Sequence, residues 1–367
     1  MKVIDIDSHS NPRNNVLTID PEYMHIGPTG YIDGNGTRVT VLNNKIIQIF
    51  RNDEKKISYK KDLDGKAAHY DGSVRYQEVT RAGVDFQFIS VGSTDLFAYI
   101  DLEPAAALCK AHNDFLYNTF VKPYPKTFNG LPLLPLQDFK YALKELERCV
   151  KEFGTKVLLM PTNWKGIDMA DPYWWNFYER ALNLGIRTII VHVSAVFPDC
   201  RWVGKERFTV LGPDGTRGRR IVSTPFENCS NVVNLIFGGM LSNFPDFKVA
   251  FLEGATEFLV GLKHRMEETL EDLPYLRNKL TQPLEQYFDR MYFTVDSLML
   301  KNNGTCLKYV LEELGPDHLL FGSDYPHEAE SLETCALIKG VCGISSEVKE
   351  KILGINAMTL LGEAFSA

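Results

Sequence analysis

Lys2-Val3-Ile4-Asp5-Ile6-Asp7-Ser8-His9 opens the chain with apolar and polar residues in near alternation. A strand repeats every two residues, so Asp5, Asp7 and His9 are expected on one face, with Val3, Ile4 and Ile6 divided between the packed surfaces. Isolated carboxylates are costly in a buried strand, because a charge taken into an apolar medium loses its hydration. An Asp and a His on one strand face therefore call for a cation. The stretch is expected to supply half of a metal site, Asp7 and His9, within a closed sheet that carries the other half to it.

Outward from that strand the chain settles into a rhythm. Residues 11–70 read as an irregular insertion holding a hairpin, Thr37 to Leu42 and Lys45 to Phe50 around Asn43-Asn44. From Ser73 onward, helices alternate with short apolar runs. These begin with Val84 to Val91, Asn129 to Leu136, Lys156 to Pro161 and Ile186 to Val193. Phe247 to Glu253, Met291 to Val295 and His318 to Ser323 complete the series. Asp138 and Asp171-Pro172 read as helix starts, and Gly83 as a helix stop. Eight apolar strands alternating with helices predict a parallel sheet covered on its outside, and eight closes a (β/α)₈ TIM barrel. One domain over 1–367 is expected. Its surplus over the ~250 residues of a minimal barrel falls in the insertion and in a lid-like loop at 197–223, after the fifth strand. The competing open doubly wound sheet would need a glycine-rich turn after an early strand, and the chain has none.

Composition narrows the class. With 44% apolar and 24% charged residues, the 367-residue chain can bury a sizeable core, and its net charge of −7, with no dominant basic patch, argues against a nucleic-acid partner. No apolar run is long enough to span a bilayer, no secretory signal is expected, and the 7 scattered cysteines read as reduced thiols. The expected location is the cytoplasm. Tyr173, Phe177 and Tyr178, read as exposed aromatics, point to a homo- or hetero-oligomer.

In a barrel of this kind the reactive residues stand at the C-terminal ends of the strands. Those positions hold Asp7, His9, His192, Glu253 and Asp324. Two imidazoles and three carboxylates form a mixed N/O set suited to Zn²⁺, Fe²⁺ or Mn²⁺ rather than to a soft metal. His192 alone in an apolar strand reads as a core histidine; four further ligand-type residues at strand ends reverse that reading.

Several stretches then resemble one family. Val3 to His9, Arg81-Ala82-Gly83-Val84-Asp85, Phe244 to Glu253 and Leu319 to His327 are similar to the amidohydrolase-related branch that includes aminocarboxymuconate-semialdehyde and resorcylate decarboxylases. The resemblance implies Asp7, His9, His192 and Asp324 around one divalent metal, with Asp324 ligand and general base at once. Familiar members carry a His at the end of the sixth strand; this chain resembles the subset with Glu253. Many of that subset place a Glu directly after the first-strand His, whereas here Ser10-Asn11-Pro12 follows.

The expected chemistry is that of a metal-dependent hydrolase or non-oxidative decarboxylase acting on a small carboxylic substrate through a metal-bound hydroxide. Zn²⁺ is the first expectation, with Fe²⁺ or Mn²⁺ as alternatives and one or two ions per chain. Glu253 is expected as a second base, a bridging ligand or an orienter of His192, and His327 as a substrate or second-metal residue. Arg201 in the lid-like loop and Trp164 after the fourth strand are candidate substrate contacts. A dinuclear non-haem iron or mixed-metal oxygenase is the first alternative. A subunit working beside an active paralogue is the second.

Overall fold

The computed structural model describes residues 2–10, 17–26, 29–32, 38–42, 45–50, 67–91, 97–98, 100–193, 215–254, 256–326 and 331–362. Eight parallel strands carry the fold: β1 (Ile4–His9), β2 (Phe86–Ser90), β3 (Phe128–Gly130), β4 (Val157–Pro161), β5 (Thr188–His192), β6 (Lys248–Phe251), β7 (Met291–Val295) and β8 (Leu319–Phe321). They form two parallel sheets in the orders β1-β2-β3 and β8-β7-β6-β5-β4. β8 and β1 meet at their C-terminal ends, where the N–H groups of Ser323 and Asp324 donate to the Asp7 carbonyl and that of His9 to the Tyr325 carbonyl. The covering helices include α1 (Gly72–Arg81), α2 (Leu102–Leu116), α3 (Phe139–Phe153), α4 (Trp175–Asn183), α5 (Gly215–Phe237), α6 (Glu257–Asp272), α7 (Lys301–Leu314) and α8 (Thr334–Gly340).

Strand alternation sorts the core. Ile4 and Ile6, Phe88, Leu131, Leu159, Ile190, Ala250, Tyr292 and Leu320 build one interior cluster fed from every strand or its immediate continuation. Their sequence neighbours, such as Ile89, Leu158, Ile189, Val249 and Phe293, pack outward against helices. Ala357, Leu360 and Leu361 from the terminal helix Asn356–Leu361 join the interior cluster, and Thr188 Oγ donates to the Leu360 carbonyl at the start of β5. One end of the interior is thus plugged, and the opposite end, where β1, β5, β6 and β8 finish, holds the polar residues.

Several boundaries differ from the sequence reading. The hairpin strands are Arg38–Leu42 and Lys45–Phe50, and Thr29–Ile32 adds a third antiparallel strand. β3 stops at Gly130 because Pro132 and Pro135 have no N–H to offer a ladder. The loop expected over 197–223 is helical from Gly215, and α5 runs on through Pro225. α6 ends at Asp272, ahead of Pro274. Phe177 and Tyr178 are fully buried in the core, and of that trio only Tyr173 is exposed. The surface aromatics that pointed to oligomerisation are therefore mostly interior. Among the described residues no helix is long and apolar enough to cross a membrane.

Candidate metal centre

The pairing of β1 with β2 slips by one residue between Asp5 and Ser8, a bulge that re-aims the side chains it separates. Asp5 turns to the neighbouring strand ends. Its carboxylate accepts from Ser323 Oγ (2.6 Å), Ser323 N–H (2.9 Å), Gln87 Nε2 (2.7 Å) and the Asp7 N–H (3.1 Å). Burial nevertheless pushes its pKa up to about 6. Asp7 instead joins His9 and His192, all three buried, with ligand atoms within 4.8 Å of one another. The single face expected for Asp5, Asp7 and His9 is therefore corrected by the bulge, and Asp5 is a brace.

Both imidazoles are oriented from behind. His192 Nδ1 lies 3.1 Å from the Val193 carbonyl, so that nitrogen carries the proton and Nε2 presents its lone pair. Ser90 Oγ donates to the Ser8 carbonyl (3.3 Å) and faces His9 Nδ1 at 3.0 Å, which fixes the same tautomer there. The two rings meet edge to face, 5.0 Å between centroids. Around His9 Nε2 stand Asp324 Oδ1 at 3.1 Å, Asp7 Oδ1 at 3.3 Å and Glu253 Oε1 at 4.0 Å; Glu253 Oε1 is also 4.0 Å from His192 Nε2.

Asp324 and Glu253 both occupy the left-handed region, with φ of +55° and +49°. A non-glycine residue there costs about 1–2 kcal/mol, and such strain persists where the surroundings impose it, typically at functional sites. At Glu253 the imposing contact is its N–H to Thr294 Oγ1 (3.1 Å). The Glu253 and Asp324 side chains are 22% and 19% exposed, against 3%, 0% and 4% for Asp7, His9 and His192. The cluster is closed at the back and opens past its two strained carboxylates.

The electrostatics demand positive charge. Burial works against a charged His9, but hydrogen bonds to Asp324 and Asp7 outweigh it and push the pKa up to about 10. His192 is lowered to about 4, chiefly by burial and then by His9, and so is a neutral donor. Three carboxylates against two imidazoles fit a divalent cation, and the His192 Nε2 atom is buried with no hydrogen-bond partner among the described residues. The donor set suits a borderline or hard divalent ion.

Five of the expected site residues thus converge. Trp164 is buried in the main apolar cluster, in a short antiparallel pair formed with Ile167–Asp168. His327 and Arg201 lie outside the described residues. Sequence reasoning missed Ser90, although a small polar residue ending β2 obeys the same strand-end rule, and Arg75, which nothing in its helix distinguishes.

Known proteins give the family. A family model described as Amidohydrolase matches residues 73–362. The 2-amino-3-carboxymuconate-6-semialdehyde decarboxylase of Dictyostelium discoideum is 28% identical over 295 residues, covering 80% of this chain and 77% of its own. Among solved structures, an amidohydrolase from Mycobacterium avium subsp. paratuberculosis superposes with a TM-score of 0.73 at 17% identity, covering 98% of both chains. The 5-carboxyvanillate decarboxylase of Novosphingobium aromaticivorans, complexed with manganese and 4-hydroxy-3-methoxy-5-nitrobenzoic acid, gives 0.69 at 16% identity, covering 100% of this chain and 96% of that one. The family model spans most of the sequence and takes in His192, Glu253 and Asp324: this protein is a metalloenzyme of the amidohydrolase family.

Proposed function

We propose that the protein is a divalent-metal-dependent, non-oxidative decarboxylase of a small carboxylic acid, with hydrolysis at the same centre as the competing outcome. The observation that carries this reading is the cluster itself, buried behind by Asp7, His9 and His192 and open past Glu253 and Asp324. Relatives that remove CO₂ from carboxylated muconates and aromatics support the reaction class.

Asp7, His9, His192 and Asp324 would hold the ion. When bound, it supplies Lewis acidity toward a substrate oxygen. As the C–CO₂⁻ bond breaks, its electron pair stays on the substrate carbon, which must take up a proton. Glu253, on the open side and 4.0 Å from both histidine Nε2 atoms, delivers that proton and recovers one from solvent. Asp324 is ligand and proton acceptor for a substrate hydroxyl. Arg201 and His327, outside the described residues, and Trp164 stay proposed substrate contacts on their sequence positions alone.

Manganese joins zinc as the first ion to test, given the manganese-bound relative. One ion per chain is favoured over two. The triads Asp7–His9–His192 and His9–Glu253–Asp324 share His9, whose Nδ1 faces Ser90, so Nε2 alone is available and holds a single ion. A dinuclear oxygenase has correspondingly little support. We also infer that the eight strands close into a (β/α)₈ barrel, β3 beside β4, as one domain. The shared interior cluster and the solved amidohydrolases support that closure.

The test is a chelated enzyme reloaded with Mn²⁺ or Zn²⁺ and offered hydroxybenzoates and carboxylated muconates, with CO₂ release followed. Glu253→Gln is expected to keep its ion and lose ~10²–10⁴-fold in kcat, and His192→Ala to lose ion and turnover together. Carboxylic acids left intact while an ester or amide is cleaved would overturn decarboxylation. An unchanged metal content in His192→Ala would overturn the ligand set.

A further inference from the structure

Among the described residues Arg75, on α1, is the largest fully buried charged side chain, and none of its hydrogen bonds there runs to a carboxylate. Its guanidinium donates to the His9 carbonyl (2.8 Å), the Ser8 hydroxyl (2.8 Å), the Ala68 carbonyl (3.3 Å) and Gln87 Oε1 (2.8 Å). Ser8 Oγ in turn donates to the Phe88 carbonyl at 2.5 Å. The same cation lies 5.1 Å from the centroid of the Tyr325 ring and 5.4 Å from that of Phe120. One turn along the helix, Glu78 accepts a hydrogen bond from the Tyr325 phenol.

Two residues of one helix thus grip two strand ends. Ser8 and His9 belong to β1, and Tyr325 directly follows Asp324 beyond β8. An apolar side chain would pack α1 against β1 without the desolvation penalty of a buried guanidinium. What an apolar residue cannot do is fix a carbonyl and a ring at once. Asp324 moreover sits at φ +55°, a conformation held only when its neighbours over-determine it, and Tyr325 is the neighbour so held.

We propose that Arg75 and Glu78 act as a positioning clamp that sets the separation of His9 and Asp324, 3.1 Å between Nε2 and Oδ1, and so the affinity of the centre for its ion. The clamp rests on the metal reading above. It touches neither ion nor substrate.

The experiment titrates metal-free protein with Mn²⁺ and reads free Mn²⁺ by its EPR signal, with thermal unfolding measured on the same samples. Arg75→Lys keeps the charge but loses the planar fork, and is expected to weaken Mn²⁺ binding ~10–100-fold, the usual effect of losing a partner that orients a ligand. Tyr325→Phe, which loses only the bond to Glu78, is expected to weaken it less while keeping the fold, and carries the test where Arg75→Lys does not fold. Leu353→Ala is the control: it lies in the same apolar cluster as Tyr325 and should lower the melting temperature with wild-type Mn²⁺ affinity. Wild-type affinity in folded Arg75→Lys, or in Tyr325→Phe where that variant stands in, overturns the clamp alone. A wild-type protein that binds no divalent ion overturns the metal reading and the clamp with it.

Discussion

Gly322→Ala probes the centre from a residue that ligates nothing. Gly322 follows β8, and a Cβ built on it would stand 2.8 Å from Asp7 Cβ and 2.8 Å from Thr294 Cγ2, with Thr294 Cβ at 3.3 Å. Carbon atoms in contact prefer at least ~3.5 Å, so each of the two closest approaches is roughly 0.7 Å too short. Retreat is blocked, because Asp7 lies on β1 and Thr294 on β7, and moving from one drives the methyl into the other. Overpacking of this kind costs about 1–3 kcal/mol. With an unfolding entropy of ~2.1 cal/mol/K per residue over 367 residues, that lowers the melting temperature by ~1–4 °C. The larger effect is local. Asp7 is a proposed ligand and Thr294 Oγ1 holds the Glu253 N–H, so displacing both should weaken Mn²⁺ binding ~10-fold or more. Differential scanning fluorimetry and the EPR titration read the two effects. Gly340→Ala, whose added Cβ meets nothing within 4 Å, is the matched control. A Gly322→Ala protein with wild-type melting temperature and Mn²⁺ affinity would refute the reasoning.

Two further outcomes follow from residues outside the centre. Gly261 is exposed within α6 and its added Cβ meets nothing within 4 Å, so Gly261→Ala should stabilise by ~0.5–1 kcal/mol, measured by urea unfolding; a loss of stability would contradict the helical assignment. His112 is buried beside the Ser10 carbonyl, and burial lowers its pKa from 6.5 to about 4. The unfolded chain then takes up a proton that the folded one refuses, so this residue's contribution is complete above pH ~6.5 and fades by up to ~3 kcal/mol on acidification toward pH 4. Asp5, raised to about 6 by burial, works in the opposite sense over an overlapping range. The quantity to measure is therefore the difference in pH slope between wild type and His112→Asn; equal slopes would refute a neutral, buried His112.

The sequence by itself determined what depends on local periodicity. Apolar runs of strand length separated by helical stretches, each run closing on a polar residue, were enough to name Asp7, His9, His192, Glu253 and Asp324, because ligand-type residues at strand ends are a chain-local pattern. Caps such as Asp138, whose carboxylate takes the Lys140 and Tyr141 N–H groups, were legible for the same reason. Only the tertiary structure decided what rests on contacts between distant segments. How Asp5 is held apart from Asp7 was decided there: a bulge and the Ser323 donors, 318 residues away, keep Asp5 as a brace and leave Asp7 in the cluster. Arg75 is one of two arginines on a polar helix until β1 and β8 close around it. Phe177 and Tyr178 became interior because α4 packs against its neighbours, and α5 starts at Gly215, inside the stretch a local reading takes for a loop. Residue type and spacing fixed which groups reach the strand ends; burial and long-range pairing set which of them face one another and in what charge state.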